Sequence, residues 1–300
     1  MNNHNRFLRT IRLAVGGLAV AGAALSSSAA LAQKAYPTAA AAADAFVDSI
    51  ARHDIDALKV VVGADYRTYV PHIDADDVTR FLEAWAKSHK IVPAGDAKAY
   101  LEVGTNGWTL PIPLVKTGAG WQFNTKAAPD EMRIRRIGRN ELDAIQVSLA
   151  LTDAQDDFYK YDRDRNGRSN YAQKILSTPG KHDGLYWVSK PGQEESPIGS
   201  LVAQANPKDG YHGYHFRVLT AQGKDAPGGA KNYVVNGEMT GGYAFVAWPA
   251  RWGDTGVMTF MVDRDQVVWE KDLGPDSDKV ARAMTSFNPD STWKKVPPAK

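Results

Sequence analysis

The 300-residue sequence contains no cysteine, so neither a disulfide nor thiol chemistry is open to it, and its fold must rest on an apolar core. It also lacks a charge excess: 36 Lys and Arg stand against 34 Asp and Glu, a formal net charge of +2. Arg6, Arg9 and Arg12 carry that small surplus. The remainder is near neutral and offers no footprint for nucleic acid. No G-x-S-x-G, H-E-x-x-H, P-loop or G-x-G-x-x-G string occurs. Nor is there an uninterrupted apolar run of about 20 residues, the length a membrane-spanning helix needs.

What is present begins with a leader. The three arginines precede Leu13–Leu25, a run without charge, and a polar patch leads to Ala30-Leu31-Ala32. A basic start, a short apolar stretch and a small-x-small ending define a cleavable secretory signal peptide over residues 1–32. The expected address is the periplasm or the medium, as a soluble chain with no membrane span after cleavage.

The following residues predict an α+β fold in two domains, 36–126 and 131–296, joined at Ala127-Ala128-Pro129-Asp130. In the first, Thr38, Asp54 and Asp74 can cap helices, because their side-chain oxygens can accept from orphan N–H groups of a first turn. The period then changes to that of strands at 97–103, 108–115 and 121–124, with turns at Asn106-Gly107 and Lys116–Gly120. Helices packed on a curved antiparallel sheet resemble cystatin-like and nuclear-transport-factor-like domains. In the second, a long helix over about 131–161 is expected to bury a stripe of Ile134, Ile137, Leu142, Ile145 and Leu149. Strand-like runs follow at 211–220, 232–235, 243–248, 257–262 and 267–270. A long helix on an antiparallel meander is similar to a type IV pilin head, although EMRIRRIGR before Asn140 is too charged for a pilin's membrane-entering half.

Candidate chemistry is sparse. Asp162, Asp164 and Asn166, followed by Gly167, open a D-x-D-x-N-G string whose alternate oxygens could hold calcium. The closing Glu is replaced by Gln173, and the same string can end a helix through an Asx turn. Both readings stay open. His212 and His215 are three apart, so on a strand they face opposite sides and cannot share an ion. Trp187, Trp248, Trp252 and Trp269 could form a ligand platform or simply pack. Lys116-Thr117-Gly118, Ser286-Phe287-Asn288 and Ser291–Lys294 match short penicillin-recognising motifs, but in the wrong order.

Several longer strings are more specific: RRIGRNELDAIQ (135–146), DGLYW (183–187), GYHGYHFRVLTAQG (210–223), APGGA (226–230), GGYAFVAWPA (241–250), GVMTFMV (256–262), EKDLG (270–274) and WTLPIPLVKTGAGWQFNT (108–125). Together they resemble the exported bacterial domain-of-unknown-function family 2950. The resemblance implies export and brings no catalytic residue with it. The expected role is a non-enzymatic module binding an envelope component or another protein. The rival is a periplasmic hydrolase or isomerase with a pocket lined by Asp65, Tyr66, His72 and Asp74.

Overall fold

A computed structural model describes residues 32–163, 167–200, 206 and 208–297. The segment expected to be a signal peptide lies, through Leu31, outside the described residues, as do Asp164 and Asn166. The fold is α+β, with five α-helices and several mainly antiparallel sheets among the described residues.

The first half carries three helices, α1 (Ala39–Ala51), α2 (Ile55–Val62) and α3 (Ala75–Lys87). Each starts where a cap was expected. Thr38 Oγ1 accepts from Ala41 N at 3.0 Å, Asp54 Oδ1 from Ala57 N at 2.9 Å, and Asp74 Oδ1 from Asp77 N at 2.8 Å. Such a cap stabilises a helix by about 1 kcal/mol. The helices cover the antiparallel meander β1 (His89–Pro93), β2 (Lys98–Val103), β3 (Leu114–Thr117) and β4 (Gly120–Phe123). Leu101, Leu114 and Phe123 form its core with Ala42, Ala43, Val61 and Val62. The strand expected over 108–115 is a bridge from Thr109 to Glu102 and then β3, because Pro111 and Pro113 cannot donate to a ladder.

α4 (Ala128–Tyr159) begins inside the expected joint. Pro129 sits in the first helical positions, where a missing N–H costs nothing, so it opens the helix three residues before the expected start. The expected inner stripe is corrected at its start, where Ile134 is 60% exposed and Leu142 66%, while Ile145 and Leu149 are half-buried and pack on the core. The fully buried line beside them is Ala144, Ser148, Leu151, Thr152, Ala154, Gln155 and Phe158. Small residues there let the helix approach its sheet closely.

That sheet is antiparallel, in the order β14 (Lys294–Lys295), β12 (Trp269–Asp272), β11 (Met258–Asp263), β10 (Ala244–Pro249) and β5 (Tyr214–Leu219). Every residue of β10 is buried, because α4 covers one face and α5 (Ser277–Ala283) the other. A strand buried on both faces reads as a continuous apolar run, here AFVAWP. Short pairs complete the half: β6 (Ala221–Gln222) with β7 (Lys231–Asn232) and β13 (Ser286–Phe287), and β8 (Val234–Val235) with β9 (Glu238–Met239).

The charged stretch of α4 has a definite task. Glu131 Oε1 accepts from Lys98 Nζ at 2.7 Å and Tyr100 OH at 2.6 Å, and Arg135 reaches the backbone and hydroxyl of Thr109. From the same turns, Arg133 donates to Gly253 O at 2.8 Å, Arg136 pairs with Asp254, and Asn140 donates to Thr255 O at 2.8 Å. Glu141 Oε1 accepts from Val257 N at 2.9 Å and Met258 N at 3.0 Å. One helix therefore carries polar latches to both halves. Burial pulls the Glu131 carboxyl up, but the Lys98 ammonium and the Tyr100 hydroxyl outweigh it and hold it below its usual range.

Candidate functional site

After α4, residues 167–199 form no helix or strand and make only isolated bridges. Irregular stretches of this length are costly to order and, in compact folds, usually functional. Here the ordering is done by side chains. Gln155 binds Ala172 on both sides, donating Nε2 to its carbonyl and accepting its N–H, each at 2.8 Å. Arg163 is a second anchor, with its side chain only 4% exposed. It pairs with Glu194 and with Asp157 Oδ2 (2.8 Å), and lies over the rings of Tyr161 (4.9 Å), Trp187 (5.5 Å) and Phe158 (6.0 Å). His182 stacks on the outer side of this group, 4.2 Å from Trp187. Gly184 crosses Ser177 so closely that a Cβ would lie 2.7 Å from the Ser177 nitrogen, which explains the glycine in DGLYW.

These anchors leave a cleft of about 230 Å³ lined by Phe158, Asn170, Tyr171, Gln173, Lys174, Asp183 and the β8–β9 turn at Gly237 and Glu238. Phe158 and Ala172 are buried beneath it. Gln173 Nε2 donates to Gly237 O at 2.7 Å, fastening the turn to the opposite wall. Lys174 Nζ binds Asp183 Oδ2 at 2.8 Å and Thr178 Oγ1 at 2.7 Å. Asp183 also accepts the Thr178 N–H at 2.8 Å and its hydroxyl at 2.9 Å. Burial alone would raise the Asp183 carboxyl, but Lys174 and Thr178 bring it down to about 2.

A depressed carboxyl stabilises the fold above its unfolded pKa and loses that contribution as pH falls towards the folded one. Asp183→Asn is therefore expected to cost about 1 kcal/mol at pH 7, after allowance for the solvent-facing side of the pair. It should also flatten the loss of stability between about pH 4 and pH 2, the interval between the unfolded and folded values. Urea melts of wild type and variant across that interval check both; parallel profiles would refute the pairing.

Of the calcium candidates, Asp162 Oδ2 accepts from Gly167 N at 2.8 Å, and Gly167 has φ +85°. Asp164 and Asn166 lie outside the described residues. Gln173, at the closing position, and Asp183 are engaged with Gly237, Lys174 and Thr178. No group of three His, Asp or Glu suited to a metal occurs among the described residues. His212 turns outward with φ +49° and pairs with Asp143 at 3.2 Å, whereas His215 lies on β5 beside Trp248. The four tryptophans are dispersed: Trp187 and Trp248 are buried, Trp252 is bonded to Asp272 and Trp269 lies under Lys295. Asp65, His72 and Asp74 are exposed, Tyr66 is half-buried, and Asp74 is engaged in capping α3.

Sequence reasoning did not pick out Lys174 or Glu238, and considered Asp183 only as a stand-in for the missing closing carboxylate of the calcium string. One signal was available: Asn236-Gly237 between two valine-rich and polar residues is a two-residue hairpin turn, and both have positive φ (51° and 85°). That turn delivers Glu238 to the cleft.

Structure and site together define an α+β protein whose two larger sheets share one latched helix, with a polar cleft beneath an irregular stretch held by side chains. The family model described as protein of unknown function DUF2950 matches residues 33–296, and the chain belongs to that family. No curated protein and no solved structure matches it.

Proposed function

We propose that this chain is an exported, non-enzymatic binding module of the bacterial envelope, built as two domains. The observation that carries the reading is the side-chain-ordered segment between α4 and β5, which surrounds a polar cleft and displays exposed Tyr161, Leu176 and Val188. Loops positioned by a rigid scaffold are the usual carriers of recognition. Export is supported by the leader and by where the fold takes hold. Gln33, next after Ala30-Leu31-Ala32, donates to Val61 O at 3.0 Å and Phe123 O at 2.7 Å. The family match begins at the same residue. No helix among the described residues is long and apolar enough to cross a membrane. The pilin-head and cystatin likenesses are analogies of shape and add little to a functional argument.

Two measurements test the reading. Protein recovered from the periplasm should begin at Gln33 or within a residue or two of it; an N-terminus at Met1 would overturn export. A photo-crosslinking residue at Val188 should capture a discrete envelope partner in cells, and one at Lys116, on the far sheet, should not. Equal labelling from both positions would remove the binding role from this segment.

A further inference from the structure

We infer that the cleft beneath the irregular segment binds a small zwitterion, its ammonium on Glu238 and its carboxylate on Lys174. The inference rests on the binding-module reading and names a ligand class for that site. Glu238 is the reason to look for a cation. Its side chain is 25% exposed, it accepts no side-chain hydrogen bond among the described residues, and its ion-pair contact, Arg168 Nη1, stands off at 3.9 Å. That separation is within an ion pair but beyond hydrogen-bond distance, so among the described residues a half-buried carboxylate lines the cleft without a hydrogen-bond donor. Lys174 supplies the other pole. Two of its three N–H bonds go to Asp183 and Thr178, and the third has no acceptor among the described residues.

Size and polarity narrow the ligand further. At about 230 Å³ the cleft has room for roughly seven waters, or an organic molecule of a similar number of non-hydrogen atoms. The lining is mostly amide, carboxylate and ammonium groups, with Tyr171, Phe158 and Ala172 as its apolar part. A simple cation would leave the third N–H of Lys174 unanswered, and a simple anion would meet the carboxylates of Asp183 and Glu238 without an ammonium of its own to offset them. A molecule carrying both charges a few bonds apart answers both walls.

Titration calorimetry on the mature chain with glycine, L-alanine and L-serine, and with methylammonium and acetate as half-ligands, tests this. The expected result is saturable binding of at least one amino acid, with each half-ligand about tenfold or more weaker. Glu238→Gln, an isosteric change at the first residue of β9, should weaken that binding about tenfold and leave the melting temperature unchanged. Lys174→Gln should weaken it similarly; if that variant fails to fold, Glu238→Gln alone decides. No saturable binding by any of the three, or equal binding by wild type and Glu238→Gln, overturns the inference. Partner capture at Val188 is read independently, so the binding-module role can survive the loss of this ligand class, and loss of both removes the role as well.

Discussion

Arg163→Ala is expected to lower stability by about 2–4 kcal/mol and to release the segment between α4 and β5 from the body of the protein. The guanidinium is nearly sealed from solvent, holds two carboxylates, and fills the space between three aromatic rings. Its loss removes both bonds and leaves a cavity against Trp187. Asp157 and Glu194 are 42% and 46% exposed, so they can rehydrate, which keeps the cost below that of stranding a fully buried charge. Arg163→Lys keeps the charge and loses the fork, so it should fall between wild type and alanine. The readout that separates a local from a global effect is Trp187, whose Nε1 donates to Glu194 O at 3.1 Å. Amides of 170–198 should lose protection well before those of β10 and β11, and the tryptophan emission should shift to the red. A melting curve within about 0.5 kcal/mol of wild type would place Arg163 outside the structural core, at the level of a surface substitution.

What was legible in the sequence was what is determined locally. Caps at Thr38, Asp54 and Asp74 work within one turn, so residue identity and spacing were enough. The apolar run of β10 and the family strings were read for the same reason. Two features were misread because a local rule met a tertiary context. Pro129 signalled a break, yet a proline is welcome in the first turn of a helix. Ile134 and Leu142 looked like core positions, yet the first half of α4 is held by arginines and glutamate bonded to β2, Thr109 and residues 253–258. Periodicity counts apolar residues and is blind to polar latches. The cleft was the least legible. Lys174, Asp183 and Glu238 meet only because Gln155 fixes residue 172 and Gln173 fixes the turn at 237, a separation of 64 residues. Nothing in the spacing of those residues announces it.

Gly256→Ala is expected to be among the most damaging single-methyl additions, costing about 2–4 kcal/mol, at or above the usual range for overpacking. Gly256 does not have a positive φ, so alanine meets no backbone strain there, and the whole effect is steric. A Cβ would lie 2.2 Å from the Tyr214 hydroxyl and 2.5 Å from its Cζ. Tyr214 cannot retreat. It is fully buried, its hydroxyl donates to Met258 O at 2.8 Å, and its backbone oxygen is already so close to Gly210 that a Cβ there would lie 2.1 Å away. Residues 253–258 must therefore move, and they carry the acceptors and N–H groups that latch Arg133, Asn140 and Glu141 of α4. The clash thus spreads from one ring to the helix that both sheets share. Tyr214→Leu alone removes the ring and its hydrogen bond, and should cost about 3–5 kcal/mol through the cavity it leaves. The two changes are coupled, however. In the Tyr214→Leu background the new methyl enters vacated space, so Gly256→Ala should cost under about 1 kcal/mol there. A double-mutant cycle by denaturant unfolding reads the difference directly. Additive costs would mean that the ring and the glycine do not touch in solution, and that α4 is latched by something other than the loop packed on Tyr214.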